Sequence, residues 1–318
     1  MWHGTTISRS NAPGRPFEQQ KMHIVSLFLS LSAFFFLYAT ASPALQVPTP
    51  VSLAKRAART SPPAGAVVVR GSGTYHEKVL ITRAGPLTIY GSTADTSSYT
   101  SNTVTITFSD SAAAEGSDDP SGTLRVKKDN FAMYNVNVKN TFGVGSQALA
   151  LSAYGTNQAY YGCGFYGYQD TLLTETGNQF YGVCYIEGTV DFIWGQHART
   201  WIQRSVIAST AAGSITADGP SSASDNSICA FYRYLLIFSC LFGQSNDFNT
   251  LTVVINCSNI IQSSAATTSL TGKVYLGRPW TQWARVVYTS CTLGAQINSA
   301  GWSVWSSSTP NTRECLVC

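Results

Sequence analysis

Between residues 147 and 194, short aromatic and β-branched runs alternate with glycine and polar punctuation, and the pattern occurs twice. Laid on itself at an offset of 21, the stretch matches repeatedly. Asn157-Gln158 falls on Asn178-Gln179, Tyr160 on Tyr181, Cys163 on Cys184, Gly167 on Gly188 and Asp170 on Asp191. The runs at 160–168 and 180–186 carry the residues that strands favour. A coil this short has no room for a helical crossover plus strands and turns. The pattern therefore predicts an all-β parallel β-helix, one coil per repeat. Further apolar runs at 66–70, 79–81, 87–90, 104–108, 124–126, 131–138, 200–207, 274–276 and 286–289 predict more strands. The polar segments 92–103, 109–122 and 218–222 read as loops.

Stacking brings chemistry with it. Equivalent positions on neighbouring coils lie about 4.7–4.9 Å apart, so Asp170 and Asp191 sit nearly above one another. Gln147, Gln169 and Asp191 are spaced by 22 and 22 residues, which also allows a column of two amides beneath a carboxylate. Two carboxylates this close do not both ionise without cost, and like charge raises one of them. One acid and one carboxylate beside amide donors make a hydrolytic site that needs neither serine nor histidine. A plain ladder of polar residues on a solenoid surface is the competing reading.

The flanks set the compartment. Residues 24–39 form an apolar run of 16, preceded by Lys21 and His23 and ending in Ala39-Thr40-Ala41. That is a secretory leader over 1–41, too short for a membrane span, and it predicts a secreted protein with no membrane segment once matured. The 21 residues before Met22 are an extension, and Met22 is a natural start. Residues 42–59 are Pro/Ala-rich and hold Lys55-Arg56, either a linker or a propeptide with a dibasic site. The main domain is then 60–318. Charged residues make up 11% of the 318, and the net charge is +4; this is too little and too scattered for nucleic acid but compatible with an acidic polysaccharide.

Eight cysteines in an exported chain permit disulfides. Cys163 and Cys184 are placed on successive coils, as a disulfide or as a stacked free pair. None has metal-ligand spacing. Asp110, Glu115, Asp118 and Asp119 lie in a polar run without EF-hand spacing and read as a solvated loop. No metal or cofactor is expected. Asn256-Cys257-Ser258 is a glycosylation sequon. His76 reads as a surface residue.

Five motifs resemble one family, the pectin methylesterases of the fungal branch. They are GTYHE at 73–77, QALAL at 147–151, GYQDTL at 167–172, DFIWG at 191–195 and LGRPW at 276–280, with SAYGTNQAYYGC, GQHAR and GWSVW as companions. The resemblance runs from about Gly73 to Arg313. It implies a right-handed parallel β-helix and hydrolysis of C6 methyl esters of galacturonate in pectin, with release of methanol. It implies Asp191 as nucleophile, Arg278 beside it, Asp170 as general acid and then base, and Gln147 and Gln169 as oxyanion donors. Trp280, with Gln147 and Arg278, is implied to bind substrate. The partner is pectin, and a monomer is expected.

Four departures accompany the resemblance. Trp194 stands where the family usually has phenylalanine. The chain before GTYHE is short, which predicts a missing or shortened N-terminal cap. Residues 229–252, CAFYRYLLIFSCLFGQSNDFNTLT, interrupt the family pattern, as translated intron or as a helix packed on the β-helix; the tail at 314–318 is atypical. Rival readings are a pectate or pectin lyase on the same architecture, and a pectin-binding or misassembled β-helix without turnover.

Overall fold

The computed structural model describes residues 62, 64–69, 71–222 and 253–312, with the backbone of Leu316–Val317. The leader, the 42–59 linker and the 229–252 interruption fall outside the described residues.

Each coil lays down three short strands, and these stack into three parallel faces. The first face holds Val79–Ile81, Leu124–Lys127, Leu151–Tyr154, the start of Leu172–Gly182, Ile193–Gly195, Gly213–Asp218 and Val274–Gly277. The second runs from Val67–Val69 through Gln158–Tyr161, the rest of Leu172–Gly182 and His197–Gln203 to Val286–Thr289, with Leu316–Val317 as its last rung. The third runs from Gly73–His76 through Gly164–Tyr166 and Tyr185–Gly188 to Thr292–Leu293. The fold is a parallel β-helix, wound right-handed as such crossovers are. Val253 pairs with Thr200 and with Val286, so the rungs on either side of the undescribed 223–252 stay in register.

The repeat seen in the sequence is the rung spacing. Gln158 pairs with Gln179 and Tyr160 with Tyr181. Inside the coil the two tyrosine rings stack at 4.8 Å and 6°, an arrangement worth about 0.5–1.5 kcal/mol beyond area burial. Each buried hydroxyl donates to its own coil's glutamine, Tyr160 to Gln158 at 2.9 Å and Tyr181 to Gln179 at 2.8 Å. Each glutamine amide then donates to core-edge carbonyls. Hence the Asn-Gln pairs recur: the glutamine satisfies a buried phenol.

The expected strands 131–138, 160–168, 180–186 and 200–207 each break in the middle. The break falls at Asn135 (φ 53°), Gly162 (58°), Val183 (55°) and Arg204 (52°), and the ladder continues at Cys257 (46°) and Ser290 (54°). In the coils that carry these residues, one left-handed residue redirects the chain from the second face to the third. Valine is disfavoured in this conformation, and the pairing above and below holds it there. The next residues form a polar ladder: Cys184 N–H donates to Ser205 Oγ at 3.0 Å and Ser205 N–H to Ser258 Oγ at 3.1 Å. Cys163 and Cys184 are fully buried free thiols on this line.

Other expectations resolve simply. His76 is exposed on a strand. The 109–122 loop contains a four-residue helix, Ala112–Glu115, and a 3-10 turn at Asp119–Ser121. Three of its carboxylates are taken by cations of this chain: Lys78 meets Asp110 and Glu115, while Arg125 and Lys127 meet Asp119. Asn256 of the sequon lies in the strand Val253–Asn256 and is 7% exposed, so glycosylation there requires that strand to be open.

Candidate active site

The two aspartates lie just before the first-face strands that start at Leu172 and Ile193. Asp170 N–H donates to Val190 O at 3.0 Å, which sets Asp170 opposite Asp191 on the next coil. Both adopt the left-handed conformation, φ 61° and 50°, which aspartate tolerates better than most residues. Both are buried, 8% and 5% exposed.

The amides arrive by a slip in register. Ala148 N–H donates to Gln169 O, so Gln147 lies opposite Gln169 at a spacing of 22. Ala150 and Leu151 then both donate to Thr171 O, at 2.9 and 3.1 Å, and one residue is absorbed. Beyond that point the spacing is 21, and Gln169 faces Val190. The column of two amides beneath Asp191 is therefore not formed. Gln147 and Gln169 lie opposite each other in the register, and Asp170 and Asp191 follow them, one coil above the other. Ser146 Oγ donates to Gln147 Oε1 at 3.3 Å, which commits the acceptor end of that amide.

Arg278 comes from a later rung. Its N–H donates to Thr216 O at 2.9 Å, at the end of the strand Val274–Gly277. The guanidinium meets Asp191 side-on: Nε lies 2.9 Å from each carboxylate oxygen and Nη2 lies 2.6 Å from Oδ2. Such bidentate charge-assisted pairs are the strong ones. Asp191 is thereby pulled in two directions: burial raises its carboxyl, and the hydrogen bonds and charge of Arg278 lower it, burial being the larger. Among the described residues, no cation pairs with Asp170 in this way. Burial first, then the charges of Asp191 and Asp118, push it up to about 8, against a lowering by Arg278.

Three indoles wall the site. Trp194 Nε1 donates to the Asp170 carbonyl at 3.3 Å. Its ring lies 6.2 Å from Trp280, which lies 6.2 Å from Trp305. Trp280 rests flat over Gly219, where an added Cβ would come within 2.3 Å of the ring. Beyond Trp280 opens a cleft of about 440 Å³, lined by Trp280, Trp283, Trp305, Gln282 and Asn311 among others. The arrangement offers one carboxylate held by a cation, one neutral carboxyl, two amides and an aromatic wall.

Every site residue expected from sequence, Gln147, Gln169, Asp170, Asp191, Arg278 and Trp280, belongs to this region. Two contributors were not foreseen. Asp118, from the loop, places its charge near Asp170. Trp305 lies under the Arg278 guanidinium, 4.5 Å from ring centroid to guanidinium carbon. The GWSVW motif ending at Trp305 was the available signal.

The pectinesterase family model matches residues 49–313. Pectinesterase A of Emericella nidulans is 43% identical over 275 residues, covering 78% of this chain and 76% of that protein. A pectinesterase of Aspergillus aculeatus is 41% identical over 290 residues, covering 80% of each. Among solved structures, the pectin methylesterase of Aspergillus niger superposes with a TM-score of 0.68 at 37% identity, covering 82% of this chain and 85% of that one. On this footing the chain belongs to the pectinesterase family and is a carboxylic ester hydrolase.

Proposed function

We propose that this enzyme removes the C6 methyl esters of galacturonate in pectin through an acyl-enzyme on Asp191. The observation that carries the reading is the asymmetry of the stacked pair: Arg278 binds Asp191 side-on, whereas Asp170 is pushed up to about 8. The proton held by the pair near neutral pH then belongs on Asp170.

An oxygen of Asp191 attacks the ester carbonyl, and the negative charge passes to the carbonyl oxygen. Gln147 and Gln169 donate amide hydrogens to that oxyanion, each such donor being worth about 2.7–4 kcal/mol of barrier. As the tetrahedral centre collapses, the C–O bond to the methoxy group breaks and Asp170 gives its proton, so methanol leaves. The acyl group remains on Asp191 as a mixed anhydride. Asp170, now a carboxylate, takes a proton from water as the water oxygen attacks the acyl carbon. The product forms as the carboxylic acid and gives its proton to solvent as galacturonate, Asp191 is restored as carboxylate and Asp170 is again protonated.

The aromatic wall and the uncharged amides of the cleft support a sugar-binding groove. The leader at 1–41 supports export to where pectin is found, with the mature protein acting as a monomer; sizing the mature protein from culture supernatant tests both. Methanol release from highly methylated pectin, with no unsaturated product, is the expected result for the full chain. An unsaturated product would mean lyase chemistry, and binding of pectin without methanol from folded protein would overturn the enzymatic reading.

A further inference from the structure

Arg278 spends Nε and Nη2 on Asp191. Its guanidinium carbon lies over the Trp305 ring, 4.5 Å from the centroid. Guanidinium stacks on indole through both its charge and its planarity.

The turn that carries Trp305 is stitched onto the segment that carries Arg278. Ser303 N–H donates to Gly277 O at 3.0 Å, one residue before the arginine. Trp305 N–H donates to Pro310 O and Ser306 N–H to Thr309 O, both at 3.3 Å. Asn311 Nδ2 then donates to Pro279 O at 3.3 Å and Trp280 O at 3.1 Å. The arginine is thus bracketed on both sides by the turn whose indole it rests on. That indole also lies beside Trp280, tilted by 31°.

Resting on the esterase reading, we propose that Trp305 is a positioning residue, holding the Arg278 guanidinium in the plane that meets Asp191 side-on. An arginine side chain left 32% exposed has many rotamers available, and only a narrow set gives the three-bond contact. The indole face removes the alternatives. The charged groups around Asp191 are Arg278 itself and Asp170, with Asp118 acting on Asp170. Of these only Arg278 favours an ionised Asp191, so loosening it raises the nucleophile's protonation range.

The test uses the full chain with Trp305→Leu and Trp305→Phe. The measurement is the pH dependence of kcat/KM for methanol release, whose acid limb reports ionisation of the nucleophile in the free enzyme. In Trp305→Leu the acid limb should move up by about one pH unit, with a loss of about tenfold on that limb. Trp305→Phe, which keeps a ring, should fall between Leu and wild type. A folded Trp305→Leu enzyme with an unmoved acid limb and a raised KM alone would reduce Trp305 to cleft lining and overturn the proposal. Should Trp305→Leu not fold, Trp305→Phe decides by the same criterion. Infrared titration of the Asp191 carboxylate in an Asp170→Asn background gives a readout without turnover. A midpoint that rises in the Trp305 variants of an inactive parent would keep the positioning role and sink the esterase reading. An active parent with an unmoved midpoint would do the reverse.

Discussion

Asp170 and Asp191 are the same residue at the same point of successive coils, with nearly the same backbone and burial. Their environments differ in one respect that decides their chemistry. Arg278, reached only after 87 further residues, binds Asp191 and leaves Asp170 among burial and like charge. The repeat makes two equivalent carboxyls, and a distant rung makes them unequal. On the proposed mechanism, acid and nucleophile roles are assigned by tertiary contact, not by the motif that carries each aspartate.

The largest break in that comparison is Asp191→Asn. Removal of a nucleophile typically lowers kcat by about 10⁶-fold, whereas removal of a general acid costs about 10²–10⁴-fold. Asp170→Asn should therefore retain measurable methanol release and Asp191→Asn essentially none. If the order is reversed, the roles are exchanged.

Stability should separate the same two variants in opposite directions. A carboxyl raised to about 8 in the folded state and near 3.9 when unfolded is protonated in the folded chain over that interval and ionised in the unfolded one. The folded state then binds the extra proton, so stability is full below about pH 4 and declines as pH rises towards 8. Asp170→Asn cannot titrate. Its advantage over the parent should grow between pH 4 and pH 8, on the order of a few kcal/mol. Asp191→Asn instead leaves Arg278 without its carboxylate, a loss at the lower end of about 3–5 kcal/mol because the arginine keeps some solvent. Denaturant unfolding at the two pH values checks both; parallel behaviour of the two variants would mean that Arg278 does not distinguish them.

The glutamines test whether the site acts beside the aspartates or only through them. Gln147→Ala and Gln169→Ala should each lower kcat about 10²–10³-fold with little change in the pH profile. A shifted profile would show that the amides serve the carboxyls and not the oxyanion.

The rung spacing and the stacked aspartates were legible because identical residues recurred at 21. Register at the amides was not. The extra residue is absorbed where Ala150 and Leu151 share one carbonyl, and neither residue signals that. Strand breaks were hidden for a related reason: Val183 and Arg204 adopt a glycine-like φ under the constraint of neighbouring coils. Trp280 was found from its motif, but the stacking of Trp305 on Arg278 depends on a turn closed by Pro310 and Asn311, which no local pattern encodes.

The smallest effect expected is at Trp194, where the two aspartates differ again: the indole N–H reaches the Asp170 carbonyl at 3.3 Å. Trp194→Phe removes that donor and keeps a ring against Trp280, 6.2 Å away in the parent. A neutral hydrogen bond of this kind is worth about 0.5–1.5 kcal/mol, so kcat should fall by less than about tenfold. The loss should lie in the Asp170-dependent step, visible as a moved alkaline limb with an unmoved acid limb, because Asp191 and Arg278 are untouched. Trp194→Leu should lose more, since Trp280 then has no aromatic neighbour on that side. Equal behaviour of the Phe and Leu variants would assign Trp194 to the N–H alone; a Phe variant indistinguishable from the parent would assign it to the ring.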